Sequence, residues 1–123
     1  MGEKKIFTVY YKEKCLADRV AAADTFFARF RGLMLRRSLR DGEGLLLTDC
    51  PRIHCMFMRF PIDAVYLDRS FTVTGKETVR PWRTGRYFRN TVHVLELKEN
   101  GAEGITAGDR ITAEERGSGA MVR

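Results

Sequence analysis

Apolar and polar residues alternate in short stretches along most of the chain, which is the pattern typical of β-strands. Residues 4–11 alternate and are rich in aromatic and β-branched side chains, and residues 15–22 give a weaker signal of the same kind. From Gly44 onward, short apolar runs are separated by turn residues. They predict five further strands, at 45–48, 64–67, 71–79, 92–97 and 110–114.

In one segment, near residues 25–31, the apolar residues have the spacing of a helix and not that of a strand. Behind a capping residue at Asp24 or Thr25, three phenylalanines recur at helical spacing, so a single short helix is predicted near residues 25–31. Sharp turns are predicted at 68–70 and 108–109. Since the other elements are strands with no helix between them, the predicted fold class is mainly β: a small antiparallel β-sandwich or distorted barrel with one short helix.

The length of 123 residues fits one domain, predicted to span residues 4–116, followed by a flexible tail at 117–123. No apolar run has the length of a secretory signal or a transmembrane helix. The three cysteines are an odd number in a chain large enough to fold without disulfides, which indicates reduced thiols. We therefore expect a cytoplasmic protein with no membrane partner.

The formal charge of +6 comes mainly from arginine, with sixteen arginines against six lysines. Residues 29–60 and 76–95 each carry a net charge of +4, whereas residues 96–123 carry −2. Arginine suits forked contacts with phosphates and carboxylates, so an anionic partner is one interpretation. A solvated surface that keeps the protein soluble is the other.

Three polar side chains lie within ten residues of one another around Pro61: His54, Arg59 and Asp63. Together with Arg83, they are predicted to line a pocket for a small anionic ligand, with the ring of Trp82 as an apolar wall. In an alternative hypothesis the protein is an enzyme in which His54 or Asp63 moves a proton while Arg59 holds the substrate. A purely structural alternative is that Arg59 pairs with Asp63 and braces the turn.

Residues 80–89 interleave four arginines with three aromatic residues in a predicted loop. Arginine binds phosphate and aromatic rings stack on bases, so single-stranded nucleic acid is a further candidate ligand. The segment matches no recognised nucleic-acid motif. A solvated loop with Trp82 packed against the core explains the same residues without a ligand.

Thiols and imidazoles offer two further chemistries. Cys50, His54, Cys55 and His93 could bind zinc, but their spacing lacks the paired cysteines of structural zinc sites. A catalytic cysteine activated by a histidine is a second hypothesis. It requires the two side chains to lie within hydrogen-bond distance, which the sequence does not show. Signatures of common hydrolases, metalloproteases and phosphate-binding loops are absent. We therefore predict no metal and no cofactor.

Several short motifs occur in a fixed order along the chain: RGLM at 31–34, GLLL at 44–47, IHCMFMRFPIDAVYLD at 53–68, PWR at 81–83, VLEL at 94–97 and GD at 108–109. In this order they resemble domain-of-unknown-function family 192 over nearly the whole chain. The resemblance implies a compact, mainly β fold of the sandwich type, a prokaryotic origin and no established activity. Cys55 departs from the small polar residue more usual in the family, and the arginine-rich segment from Arg80 to Arg89 is a second departure.

Overall fold

A computed structural model describes residues 5–23, 38–53 and 59–116. They form seven strands: β1 (Ile6–Tyr11), β2 (Lys14–Ala23), β3 (Glu43–Leu47), β4 (Ile62–Leu67), β5 (Val73–Val79), β6 (His93–Lys98) and β7 (Ile111–Glu115). Each predicted strand is present, and no strand end is shifted by more than two residues. The predicted helix near residues 25–31 lies outside the described residues, and so does the tail. Within the described ranges there is no helix long and apolar enough to cross a membrane.

All seven strands belong to one sheet, in the order β5-β4-β6-β3-β2-β1-β7. Neighbouring strands are antiparallel except for β2 and β3, which pair in parallel. Two of the strand connections are short turns, and the predicted turn at 68–70 joins β4 to β5, with the backbone N–H of Phe71 donating to the carbonyl of Asp68 at 3.0 Å. The prediction of a two-sheet sandwich was wrong, and the distorted barrel describes the fold better.

The sheet curls into a half-barrel whose two edge strands approach each other. Thr72, just before β5, pairs with Arg110, just before β7, in an isolated bridge. The N–H of Val73 donates to the carbonyl of Asp109 at 2.8 Å, and the N–H of Ile111 donates to that of Phe71 at 3.0 Å. These bonds satisfy backbone groups that an open sheet would leave exposed at its edges.

Curling separates an inner face, turned into the half-barrel, from an outer face. The inner face packs residues from all seven strands and from the loop after β6: Val9, Ala17, Val20, Leu46, Val65, Leu67, Val73, Leu95, Leu97, Ala102, Ile105 and Ile111. The outer face packs residues of the central strands against those of the connecting loops: Ala23, Leu39, Leu45, Leu47, Ile53, Ile62, Ala64, Tyr66, Val79 and Val94. Because side chains alternate along a strand, β4 and β6 contribute to both faces.

Candidate functional site

Asp63 lies on the inner face of β4 and is only 7% exposed. Its Oδ1 accepts a hydrogen bond from the Thr78 hydroxyl at 2.8 Å, and its Oδ2 accepts one from the Ala102 backbone N–H at 3.1 Å. The carboxylate therefore joins β4 to β5 and to the loop after β6. Arg59 is exposed, and no ion pair joins it to Asp63 in the described part of the chain. His54, the third member of this predicted group, lies outside the described residues.

Trp82 and Arg83 lie on the opposite side of the sheet, in the segment of residues 80–89 that we call the basic loop. Three contacts fix this loop on the outer face. The Gly85 N–H donates to the carbonyl of Ile53 at 2.9 Å. The ring of Phe88 lies 4.7 Å from that of Tyr66, centroid to centroid, over a glycine at position 75. A Cβ atom on that glycine would overlap the Phe88 ring, so the close approach requires glycine.

Glu77 supplies the third contact. Its Oε2 accepts hydrogen bonds from the Tyr66 hydroxyl and from the backbone N–H of Arg86, both at 2.7 Å. Gly85 lies so close to this pair that a Cβ there would overlap the Tyr66 hydroxyl. One carboxylate oxygen thus connects β4, β5 and the basic loop. Hydrogen bonds to a charged acceptor are stronger than those between neutral groups, so this junction holds the loop firmly.

The opposite side of the basic loop faces solvent. Trp82 is 59% exposed and Tyr87 is 56% exposed, and they are the exposed large hydrophobic residues within the described ranges. Four exposed arginines surround them: Arg80, Arg83, Arg86 and Arg89. The alternative prediction that Trp82 packs against the core is therefore wrong. The loop instead combines an anchored underside with an aromatic and cationic outer surface.

Sequence reasoning missed Glu96, which lies on the outer face of β6 between Leu45 and Ala64 of the neighbouring strands. It is 4% exposed, and its Oε1 has no hydrogen-bond partner among the described residues. Burial raises the pKa of this carboxyl to about 8, so the group is mostly protonated at neutral pH. An acid inside the apolar run VLEL was the signal that could have identified it.

Cys50 and His93 are close in the fold, where the segment after β3 meets the start of β6. The Cys50 thiol donates to the carbonyl of Arg52 at 3.2 Å, and His93 Nδ1 accepts from the Asp49 backbone N–H at 3.0 Å. Burial lowers the pKa of His93, which favours the neutral imidazole. No group of three metal-binding side chains occurs in the ranges that the structure covers, and two residues of the hypothetical zinc site, His54 and Cys55, lie outside them.

Two solved structures are similar to this chain. A protein described as a candidate transcription regulator from Sinorhizobium meliloti aligns with a TM-score of 0.72 and 21% identity, covering 90% of this chain and 94% of its own. A protein of unknown function from Novosphingobium aromaticivorans aligns with a TM-score of 0.74 and 22% identity, covering 87% and 83%. At these identities the likeness shows the fold alone.

Sequence relatives occur in the genus Thermococcus. A UPF0127 protein of Thermococcus sibiricus is 42% identical over 76 residues, which are 58% of this chain and 49% of that protein. A UPF0127 protein of Thermococcus kodakarensis is 38% identical over 76 residues, 58% of this chain and 48% of its own length. The match therefore spans about half the length of these relatives. A profile of the DUF192 family, described as "Uncharacterized ACR", matches residues 8–113, and the chain belongs to that family.

Proposed function

We propose that this protein is a binding module for nucleotide ligands, with single-stranded nucleic acid as its main ligand and the basic loop as its binding surface. The observation that carries the proposal is the exposure of Trp82 and Tyr87, at 59% and 56%, among four exposed arginines. Aromatic rings stack on bases and guanidinium groups bind phosphates, so the loop carries both chemistries that a nucleotide presents.

The charge of the loop favours this ligand class. Residues 80–89 contain four arginines and no acidic residue. The ion pairs found among the described residues involve Arg19 and Lys98, which leaves the arginines of the loop without a carboxylate partner there. Glu77, the acid beneath the loop, uses Oε2 to accept hydrogen bonds from Tyr66 and the Arg86 backbone. The cationic groups are therefore available to phosphates.

Anchoring of the loop is the second support. A loop that is already fixed loses less conformational entropy on binding, so its affinity is higher. Glu77, Gly85 and Phe88 fix the underside of the loop while its outer side remains exposed. An enzyme that uses Asp63 for proton transfer has no comparable support, because both oxygens of that carboxylate already accept hydrogen bonds.

The Sinorhizobium meliloti relative is described as a candidate transcription regulator, which is in keeping with a nucleic-acid ligand. The description applies to the Sinorhizobium meliloti protein alone. The two chains share 21% identity, so the proposal rests on the basic loop and not on the relative.

The test uses the fluorescence of Trp82, which is the only tryptophan in the chain and therefore reports on the loop alone. We would titrate the protein with a ten-residue oligothymidylate, with thymidine monophosphate and with inorganic pyrophosphate. Quenching by the oligonucleotide, with an affinity that falls as salt rises, is the expected result. If thymidine monophosphate quenches the fluorescence with the same affinity as the oligothymidylate, the ligand of the loop is a free nucleotide. A response to pyrophosphate alone, or none at all, would contradict the proposal.

A further inference from the structure

A recess lies on the inner face, at the end of the half-barrel where β1, β3 and β7 meet the turn between β4 and β5. Its volume is about 490 Å³. Five apolar side chains contribute to its wall: Phe7, Leu46, Phe71, Ile111 and Ala113. Small-molecule sites in proteins are mostly apolar and have volumes of roughly 300–1,000 Å³. The recess has the size and the chemistry of such a site.

The size of the recess follows from the residues around it. Ile111 and Ala113 lie on the same face of β7, since they are two residues apart in a strand. Ile111 is fully packed, at 2% exposed, whereas Ala113 is half-buried and provides only a methyl group. A larger side chain at position 113 would therefore occupy part of the recess.

Phe71 is held at this recess by an unusual backbone conformation. Its φ angle is +67°, a left-handed value that bulky residues rarely adopt. Oδ1 of Asp68 stabilises the turn by accepting hydrogen bonds from the backbone N–H groups of Ser70 and Thr72, both at 2.9 Å. The ring of Phe71 also lies 5.3 Å from that of His93, centroid to centroid. The aromatic wall is therefore fixed in place.

Arg110 supplies a cation at the rim. Its Nε donates to the carbonyl of Ser70 at 3.1 Å, which orients the guanidinium group beside the recess. Its two terminal nitrogens have no hydrogen bond or ion pair within the described residues. Asp68 acts on this charge only from a distance, since no ion pair joins the two residues in the described part of the chain. The terminal nitrogens can therefore bind a carboxylate with the forked geometry typical of arginine.

We propose that this recess binds a small amphipathic carboxylate, with the aliphatic body between Phe7 and Phe71 and the carboxylate on Arg110. The charge complementarity between Arg110 and an anionic head group selects this occupant over an uncharged one. The site lies on the inner face, whereas the basic loop lies on the outer face, so the two binding activities are independent of each other.

The experiment is isothermal titration calorimetry with octanoate and with octan-1-ol, which share the alkyl chain and differ in charge. Octanoate binds the wild-type protein with saturation and more tightly than the alcohol. Arg110→Gln weakens octanoate binding by about tenfold and leaves the alcohol unchanged, because only the charged hydrogen bonds are lost. Arg110 is exposed, but this variant also loses the hydrogen bond to the Ser70 carbonyl, so its folding is verified by circular dichroism.

Ala113→Leu is the second variant, and it fills the recess without changing the charge. It weakens the binding of both compounds, with folding verified by circular dichroism. Equal affinity for octanoate and octan-1-ol, no saturable binding, or unchanged binding in Ala113→Leu would each overturn the proposal. Octanoate leaves the fluorescence of Trp82 unchanged, so this result and that of the nucleotide titration are read separately.

Discussion

Asp63 and Glu96 are two buried carboxyl groups on neighbouring strands, at 7% and 4% exposure, but they face opposite sides of the sheet. Asp63, on the inner face, accepts a hydrogen bond on each oxygen. Glu96, on the outer face, has an oxygen without a partner among the described residues, and burial raises its pKa to about 8. The first group therefore stabilises the fold through its two hydrogen bonds, whereas burial keeps the second mainly in its protonated form.

The comparison shows that a buried acid is not by itself a sign of function. Asp63 stands beside other polar residues in the sequence and looked like a site residue, yet its contacts are those of a structural brace. Glu96 stands in an apolar run and was not predicted as a site residue, yet its Oε1 has no hydrogen-bond partner within the described ranges. Hydrogen-bond partners distinguish the two roles, and partners depend on tertiary contacts that the local sequence does not reveal.

The largest predicted effect concerns Glu96 and pH. The pKa of this group is about 8 in the folded protein and 4.5 in the unfolded chain, so the folded state binds more protons between these values. The contribution of Glu96 to the free energy of unfolding is therefore largest below pH 4.5 and falls by about 1.4 kcal/mol per pH unit as the pH rises toward 8. Glu96→Gln removes this slope and is the more stable protein at pH 8.

Urea denaturation of both proteins between pH 5 and pH 8 measures this difference. The wild-type protein loses stability relative to Glu96→Gln by an amount on the order of 4 kcal/mol over that range. Parallel pH profiles for the two proteins would show that Glu96 is not buried as an uncharged acid.

Asp63→Ala tests the other side of the comparison. It leaves the Ala102 N–H and the Thr78 hydroxyl without their acceptor, and the expected loss is about 3 kcal/mol of unfolding free energy. Thr78→Val removes only one of the two bonds and should cost about 1 kcal/mol. Urea denaturation measures both. A stable Asp63→Ala protein would show that the carboxylate is not a brace.

Trp82→Ala tests the aromatic part of the basic loop. Loss of one stacked base costs about 1–3 kcal/mol, so the affinity for oligothymidylate should fall about tenfold. Fluorescence anisotropy of a labelled oligonucleotide gives the affinity without using tryptophan emission. Trp82→Phe keeps a ring that can stack and is expected to lose less. Equal losses in the two variants would argue against stacking.

The smallest predicted effect concerns single charges. Each arginine that neutralises a phosphate contributes about 0.7 to the slope of log affinity against log salt concentration for a single strand. Arg83→Ala should therefore reduce the magnitude of the slope by about 0.7. Lys14→Ala removes one exposed charge from β2 and should leave the slope unchanged. Identical slopes for both variants and the wild-type protein would place the phosphates elsewhere.

The strands were predictable because their signal is local. Alternating side chains identified the first two strands and short apolar runs identified the other five, while turn residues identified the connection between β4 and β5. The choice between a sandwich and a distorted barrel was not predictable, since closure of the half-barrel depends on the pairing of Thr72 with Arg110, which are far apart in the chain. The same holds for the parallel pairing of β2 with β3. The local sequence determines where the strands lie in the chain, whereas backbone contacts between distant residues determine how the strands are arranged in the sheet.

The candidate site was predictable in part. Arg83 and Trp82 were singled out from an arginine-rich and aromatic segment, and the structure places both on an exposed loop. The role of Glu77 could not be predicted, because its partners come from Tyr66 on another strand and from the backbone of Arg86. Nothing in the local sequence distinguishes this acid from an ordinary surface glutamate.

Glu77 provides the most direct test of the claim that the basic loop is a prearranged binding surface. Both Glu77→Ala and Glu77→Gln remove a negative charge beneath the cationic loop, which by electrostatics alone should strengthen the binding of an anion. Only Glu77→Gln keeps an oxygen that can accept from Tyr66 and from the Arg86 backbone.

The measurement is the affinity of both variants for oligothymidylate at one fixed salt concentration. If the loop must be held in place to bind, Glu77→Ala binds about tenfold more weakly than the wild-type protein, whereas Glu77→Gln binds as tightly or more tightly. Equal or tighter binding by Glu77→Ala, or no binding by the wild-type protein, would contradict the account.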